Sequence, residues 1–275
     1  MLEQVKYINH RNEVFEFGKN GIFVDVNELH DFEWNVTKKN NRITLLDKAV
    51  TKKKLPIKII CQTDEQGIAA RNKLYEVTDK DAIAMKHGKI YIGDYYLRCY
   101  ITKSQKKDYL NTDRYIRMTL TLSTDFPMWI KETTNSFRKL GAVGSGGTNF
   151  DYGFDYPFDY SSETTNGDLI NTGIADTNFK MIIYGACVDP AVYINGHLYQ
   201  VNCTVNSGEY LTIDSVTKKI TLTATNGTIT NVFKLRNRDS YIFQKIAPGS
   251  NAVTWEGNFG IDITLLEERS EPLWT

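Results

Sequence analysis

The chain has little of what metal, redox or secretory chemistry needs: four cysteines and four histidines are scattered through 275 residues. Cys61, Cys99, Cys187 and Cys203 sit singly in apolar, strand-like runs with no CxxC pair, so they read as reduced core thiols. His10, His30, His87 and His197 fall outside any zinc or hydrolase motif and read as surface residues. No apolar stretch approaches the ~20 residues of a membrane span. The opening MLEQVKYINH lacks the apolar centre of a signal peptide, and the chain is expected to be made and kept in a cytoplasm. On that expectation the Asn-x-Thr triplets at Asn35, Asn202 and Asn226 carry no weight as glycosylation sites.

Charge of one sign is also missing, with 33 basic and 33 acidic residues. Basic residues outnumber acidic ones 22 to 17 over residues 1–130 and are outnumbered 11 to 16 afterwards. Only Lys52, Lys53 and Lys54, and Lys103, Lys106 and Lys107, cluster. Both groups read as solvated loop or strand-end charge, and no nucleic-acid groove is expected.

What is present favours sheets. Sixteen Tyr, thirteen Phe and many Thr, Val and Ile suit a pleated surface. Short alternating runs, VKYI, EVFEF and IFVDV, open the chain, and Lys19-Asn20-Gly21 predicts a tight hairpin between the last two. RITLLD and LPIKIIC follow as strands joined by the basic TKKK segment. Residues 63–77 are the one helix candidate: Ile68, Ala70, Leu74 and Tyr75 form its apolar stripe, and Thr63 with Gln66 matches a capping box. KIYIGDYYLRCYIT then reads as one long strand with Tyr91, Tyr95, Leu97, Cys99 and Ile101 on a shared face, followed by RYIRMTLTLST.

Residues 141–161, GAVGSGGTNFDYGFDYPFDYS, begin with the composition of a flexible linker, which places a domain boundary at 131–145. Beyond it NFKMIIYGA, AVYIN, HLYQVNCTV, YLTIDS, KKITLTA, NVFKL, SYIFQKI, NAVTWEG and FGIDITLLEE read as strands. Asn195-Gly196, Ser207-Gly208, Asn226-Gly227 and Pro248-Gly249 supply turns between them, the pattern of an antiparallel sandwich. The fold class is therefore all-β with one helix, in two domains, 1–130 and 146–275.

Catalytic constellations are weak. Gly144-Ser145-Gly146-Gly147 lacks the Lys and the strand-to-helix setting of a phosphate loop or nucleophile elbow. Asp151, Asp155 and Asp159 recur beside aromatics, but in an extended segment they point in different directions and form no acid pair. Trp129, Trp255 and Trp274 read as core or interface anchors. No enzyme, cofactor, metal or catalytic residue is expected.

A series of phrases in the second half carries a family resemblance. The acidic aromatic stretch around Pro157 is followed by Cys187-Val188-Asp189-Pro190, then by YINGHLY. Next come Gly208, Glu209, Leu211, Ile213, Asp214 and Ser215, then Ile246, Pro248, Gly249 and Asn251, and finally Glu268 to Trp274. In this order they resemble the C-terminal half of the distal tail protein family of long-tailed, non-contractile phages. The resemblance implies an N-terminal β-barrel-like domain that forms a homohexameric ring, and a C-terminal galectin-like β-sandwich. It implies a structural hub in the virion's tail tip, joining the tail tube protein to the tail-tip hub protein, with receptor-binding proteins attached. Tail DNA would pass through the ring without specific nucleic-acid binding. Separately, ERSEPLWT places a Pro after a charged run and then an apolar Leu-Trp pair, so the last residues are expected to leave the sandwich and pack back near the first domain. A carbohydrate-binding module is the alternative. Against it, no His-x-Asn-x-Arg run exists, and Trp255 is followed directly by Glu256, which in a strand sends the two side chains to opposite faces.

Overall fold

A computed structural model describes residues 4–19, 21–108, 114–139 and 165–274. The chain divides into two compact units, Met1–Lys131 with Glu268–Thr275, and Glu132–Glu267. Antiparallel strands dominate both, and the described residues contain one α-helix.

In the first unit, strands β1 (Val5–Ile8), β2 (Val14–Glu16), β3 (Ile22–Val24), β4 (Asn35–Lys39) and β5 (Arg42–Asp47) precede the ten-residue β6 (Thr51–Ile60). After helix α1 (Asp64–Ala84) come β7 (Gly88–Ile92), β8 (Tyr95–Asp108), β9 (Tyr115–Thr124) and β10 (Trp129–Phe137). One run of pairing is β2-β1-β7-β8, with β10 joining β8 at Ile130 and Lys131; the other is β3-β6-β9-β8. The long β8 serves both, and the core between them holds Tyr7, Phe15, Ile57, Leu97, Leu120 and Trp129.

Several local expectations change. Gly21 adopts the positive φ its turn requires, yet β2 pairs with β1 and β3 with β6, so no hairpin joins them. The Lys52-Lys53-Lys54 segment lies inside β6, because alternation buries Lys53, Leu55, Ile57 and Ile59 on one side. KIYIGDYYLRCYIT is a hairpin rather than one strand: Gly93 turns the chain and Ile92 pairs with Tyr95. Ile90 and Ile92, not Tyr91, therefore share the buried side with Leu97 and Cys99. Asn40 and Asn41, both at positive φ, close a β4-β5 hairpin that the sequence reading missed.

Thr63 caps the helix, accepting from the Gln66 backbone N–H, and the Gln66 side chain reaches back to the Gln62 N–H. The helix continues seven residues past position 77, to Ala84. Its buried side is Gly67, Ala70, Leu74, Val77, Thr78 and Asp81, whereas Ile68 is exposed. Ala70 and Leu74 of the expected stripe are buried, while Gly67, Val77, Thr78 and Asp81 complete the buried side in place of Ile68 and Tyr75.

The second unit contains β11 (Thr165–Asn171), β12 (Asn178–Tyr184), β13 (Cys187–Val188), β14 (Ala191–Ile194), β15 (His197–Gln200) and β16 (Thr204–Val205). It continues through β17 (Tyr210–Asp214), β18 (Lys219–Thr223), β19 (Ile229–Asn231), β20 (Gly249–Trp255) and β21 (Ile261–Arg269). One sheet runs β19-β18-β17-β12-β21 and a second β11-β20-β14-β15, with a short β13-β16 ladder. Phe179, Met181, Leu211, Ile220 and Ile263 from the first meet Leu169, Val192, Val253 and Trp255 from the second in one core, which makes the unit a sandwich.

Residues 131–137, expected in the linker, continue β10: their alternating exposure is that of a strand, and Thr134 bonds Thr264 of β21 at 2.9 Å. Positions 140–145 lie outside the described residues. NVFKL and SYIFQKI are not strands. Asn231 accepts from the Phe233 N–H and bends the chain into a 3-10 turn, and Ile242, Phe243 and Ile246 enter the core without a ladder.

Candidate functional site

Of the residues singled out for chemistry, His30 and Trp274 come together in a ring stack. Gly144 to Gly147 and Asp151, Asp155 and Asp159 lie outside the described residues. Among the described residues, no group of three His, Cys, Asp or Glu side chains could hold a metal. All four cysteines are free thiols; burial pushes Cys99 up to about 12 and Cys187 up to about 11. No helix among the described residues is long and apolar enough to cross a membrane.

The histidines are better partnered than surface residues would be. His10 Nδ1 lies 2.5 Å from Asp81 Oδ1, which also accepts from the His10 backbone N–H. The other oxygen of this fully buried carboxylate accepts from the Tyr7 hydroxyl at 2.6 Å, and burial with the carboxylate raises the phenol. His197 contacts the Tyr241 carbonyl and the Ser240 hydroxyl. His87 stays exposed and meets Tyr100 edge-on.

Trp129 is fully buried and donates to the Leu29 carbonyl. Trp255 is likewise buried, donates from Nε1 to the Phe259 carbonyl, and receives the Phe137 ring edge-on. Its faces are closed to a sugar. Glu256 points to solvent and accepts from Asn258.

Trp274 differs: its side chain is 71% exposed while one ring face stacks on His30 at 4.1 Å. Beside the neighbouring Ser270, Lys48 Nζ donates to that hydroxyl and lies over the rings of Trp34 and Phe32, 4.6 and 5.5 Å from their centroids. From this base extends the β4-β5 hairpin, every residue of which is exposed. Val36 opposes Leu46 and Lys38 opposes Ile43, so one face of the ribbon is apolar apart from Lys38. A lone two-stranded ribbon with such a face is marginal in water, and contiguous exposed apolar surface marks an interaction site. The same unit carries a receptive surface: a groove of about 660 Å³ lined by Phe15, Phe23, Ile60, Ala69 and Ala70. Strands β2 and β3, each with one partner among the described residues, supply Phe15 and Phe23 to it.

The hairpin and groove both present apolar side chains to solvent, and among the described residues neither gathers a cluster of titratable groups. Sequence reasoning located Trp274 but missed the hairpin, whose signal was the Asn40-Asn41 step between alternating runs.

No family model matches the sequence, and no curated protein matches it significantly. Solved structures do match in shape. The Dit protein of phage SPP1, described as a paradigm of the hub adsorption apparatus in phages infecting Gram-positive bacteria, aligns with a TM-score of 0.59 at 10% identity. That alignment covers 98% of this chain and 99% of the other. A chain of the phage P2 baseplate, in its activated conformation with calcium, aligns with a TM-score of 0.63 at 12% identity, covering 99% and 100%. The strontium form of that baseplate aligns equally well. From end to end, then, this chain has the fold of SPP1 Dit and of a phage P2 baseplate chain.

Proposed function

We propose that the protein is a non-enzymatic structural hub of a phage or prophage tail tip, resident in the virion. The observation that carries this reading is the likeness through both units to a hub adsorption protein and a baseplate chain, with no large unmatched segment on either side. The first unit builds a ring, six copies by the family resemblance, and the second is a galectin-like platform for neighbouring tail proteins. The partners are further copies of the chain, the tail tube protein, the tail-tip hub protein and receptor-binding proteins.

The exposed hairpin and the apolar groove support ring building, because two different, mutually fitting surfaces on one unit give head-to-tail contacts that close by rotation. Such contacts need on the order of 1,000 Å² each to persist. The carbohydrate-binding alternative draws no support from Trp255, whose ring is packed inside the sandwich.

The test is native mass spectrometry of the chain co-expressed with the tail tube and tail-tip proteins encoded beside it. The expected species is a multimer of this chain carrying both partners. Recovery of the chain as a monomer under every co-expression would overturn the reading.

A further inference from the structure

The two lysine clusters, expected to be separate loop or strand-end charge, come together on one face of a sheet. Register sets Lys54 opposite Thr121 and Thr121 opposite Lys103; the next row is Pro56, Thr119 and Gln105, and the third is Lys58, Arg117 and Asp108. Lys52 opposes Ser123 at one end. Bulges in β8 between Ile101 and Lys103, and between Lys106 and Asp108, insert Thr102 and Lys107 beside these rows. Lys53 and Lys106 leave the face: Lys53 donates inward to the carbonyls of Glu28, Leu29 and Asp31, and Lys106 lies over Tyr75.

Six cations and one acidic position, Asp108, therefore share these rows of β6-β9-β8. Asp25 pairs with Lys58 at 2.7 Å and Glu28 with Lys54 at 3.4 Å, while Lys52, Lys103 and Lys107 have no ion pair among the described residues. A cavity of about 290 Å³ lies between Lys58, Lys107, Arg117 and Asp25, with Thr119 in its wall. Thr119 is only 5% exposed, and its hydroxyl has no hydrogen-bond partner among the described residues. A buried hydroxyl left without a partner is costly, and Lys107, which has no ion pair among the described residues, together with Arg117 and the Asp25-paired Lys58 favours an anion as that partner.

We propose that this face binds the phosphodiester backbone of duplex DNA without regard to sequence, with one phosphate seated by Lys58, Lys107, Arg117 and the Thr119 hydroxyl. Lys and Arg interleaved with Thr, Ser and Gln are the side chains that contact phosphate and sugar. The three central rows hold no aromatic residue, unlike surfaces that stack single-stranded bases. Protein interfaces are depleted in lysine and enriched in aromatics, which argues against an acidic protein as the occupant. Contacts of this kind are salt-labile and independent of base sequence.

The experiment is fluorescence anisotropy of a labelled mixed-sequence duplex with the full-length protein across a salt series, with polyglutamate as the competing polyanion. Affinity is expected to fall with salt at a log–log slope of about −4 to −5, set by roughly 0.9 per neutralised phosphate. Lys54→Glu, Lys103→Glu and Lys107→Glu together should weaken binding at least tenfold at ~50 mM salt and flatten the slope by about 2 to 3. Thr119→Val should weaken binding about threefold at unchanged slope, and Thr119→Ser should restore it. Melting curves matching the parent's show that the variants are folded. No binding at ~20 mM salt, parental binding by the triple variant, or equal lysine-dependent binding of polyglutamate would overturn the proposal. It stands apart from the hub reading: rings that ignore DNA contradict this inference alone, and DNA binding by a chain that never assembles contradicts the other alone.

Discussion

Asp81 shows what a single residue does here and how little of that its local sequence reveals. In the polar stretch TDKDAIA it resembles a solvated helix position, yet it is fully buried with Tyr7 and His10 as partners more than seventy residues away. A local pattern carries no trace of so distant a partner, which is why the helix reading stopped at 77. Asp81→Ala strands the Tyr7 hydroxyl and the His10 N–H inside protein, and a loss of roughly 2–4 kcal/mol is expected from thermal or urea unfolding. The thiols were legible, because isolated cysteines in apolar runs have no partner chemistry. With burial holding Cys99 near 12 and Cys187 near 11, a disulfide reagent at pH 8 should leave both unmodified until the chain is unfolded. The unfolded thiol ionises from its ordinary value of 9.0 upward, so their contribution to stability is lost as pH rises from there towards the folded values. Rapid labelling of Cys99 in the native protein would contradict the packing described.

At the scale of elements, legibility follows whether the signal is local. The Thr63 cap was readable because a Thr and a Gln three residues apart suffice, and Thr63→Ala should cost about 1 kcal/mol in unfolding experiments. The Asn195-Gly196 turn was readable for the same reason, and both residues take positive φ between Ile194 and His197. The Lys19-Asn20-Gly21 signal was misleading: Gly21 takes a positive φ, but which strands β2 and β3 pair with is decided by distant β1 and β6. The lysine face was invisible for that reason, since β6 and β8 meet through β9. In the β4-β5 ribbon Ile43 is 61% exposed, and Val36 and Leu46, about half exposed, lie outside the core of their unit. Replacing Val36, Ile43 and Leu46 together by Ser is therefore expected to leave the melting temperature within a degree or two while reducing self-association at least tenfold. Analytical ultracentrifugation alongside calorimetry checks both halves of that expectation.

For the molecule as a whole, the two β units follow from alternation and turn chemistry, although the strand through residue 137 shows that a glycine-rich segment locates a boundary only to within several residues. The order of phrases from Cys187 to Trp274 carried the family resemblance, and the fold shared with SPP1 Dit along nearly the full chain agrees with it. The exposed β4-β5 ribbon was not legible, because exposed apolar ribbons and buried ones share the same alternating text. Negative-stain electron microscopy of the purified protein, alone and mixed with its tail tube protein, tests ring building most directly. Annular particles with a central hole, absent from the Val36, Ile43 and Leu46 variant, are the predicted result. Uniform particles of single-chain size in every mixture would contradict the account.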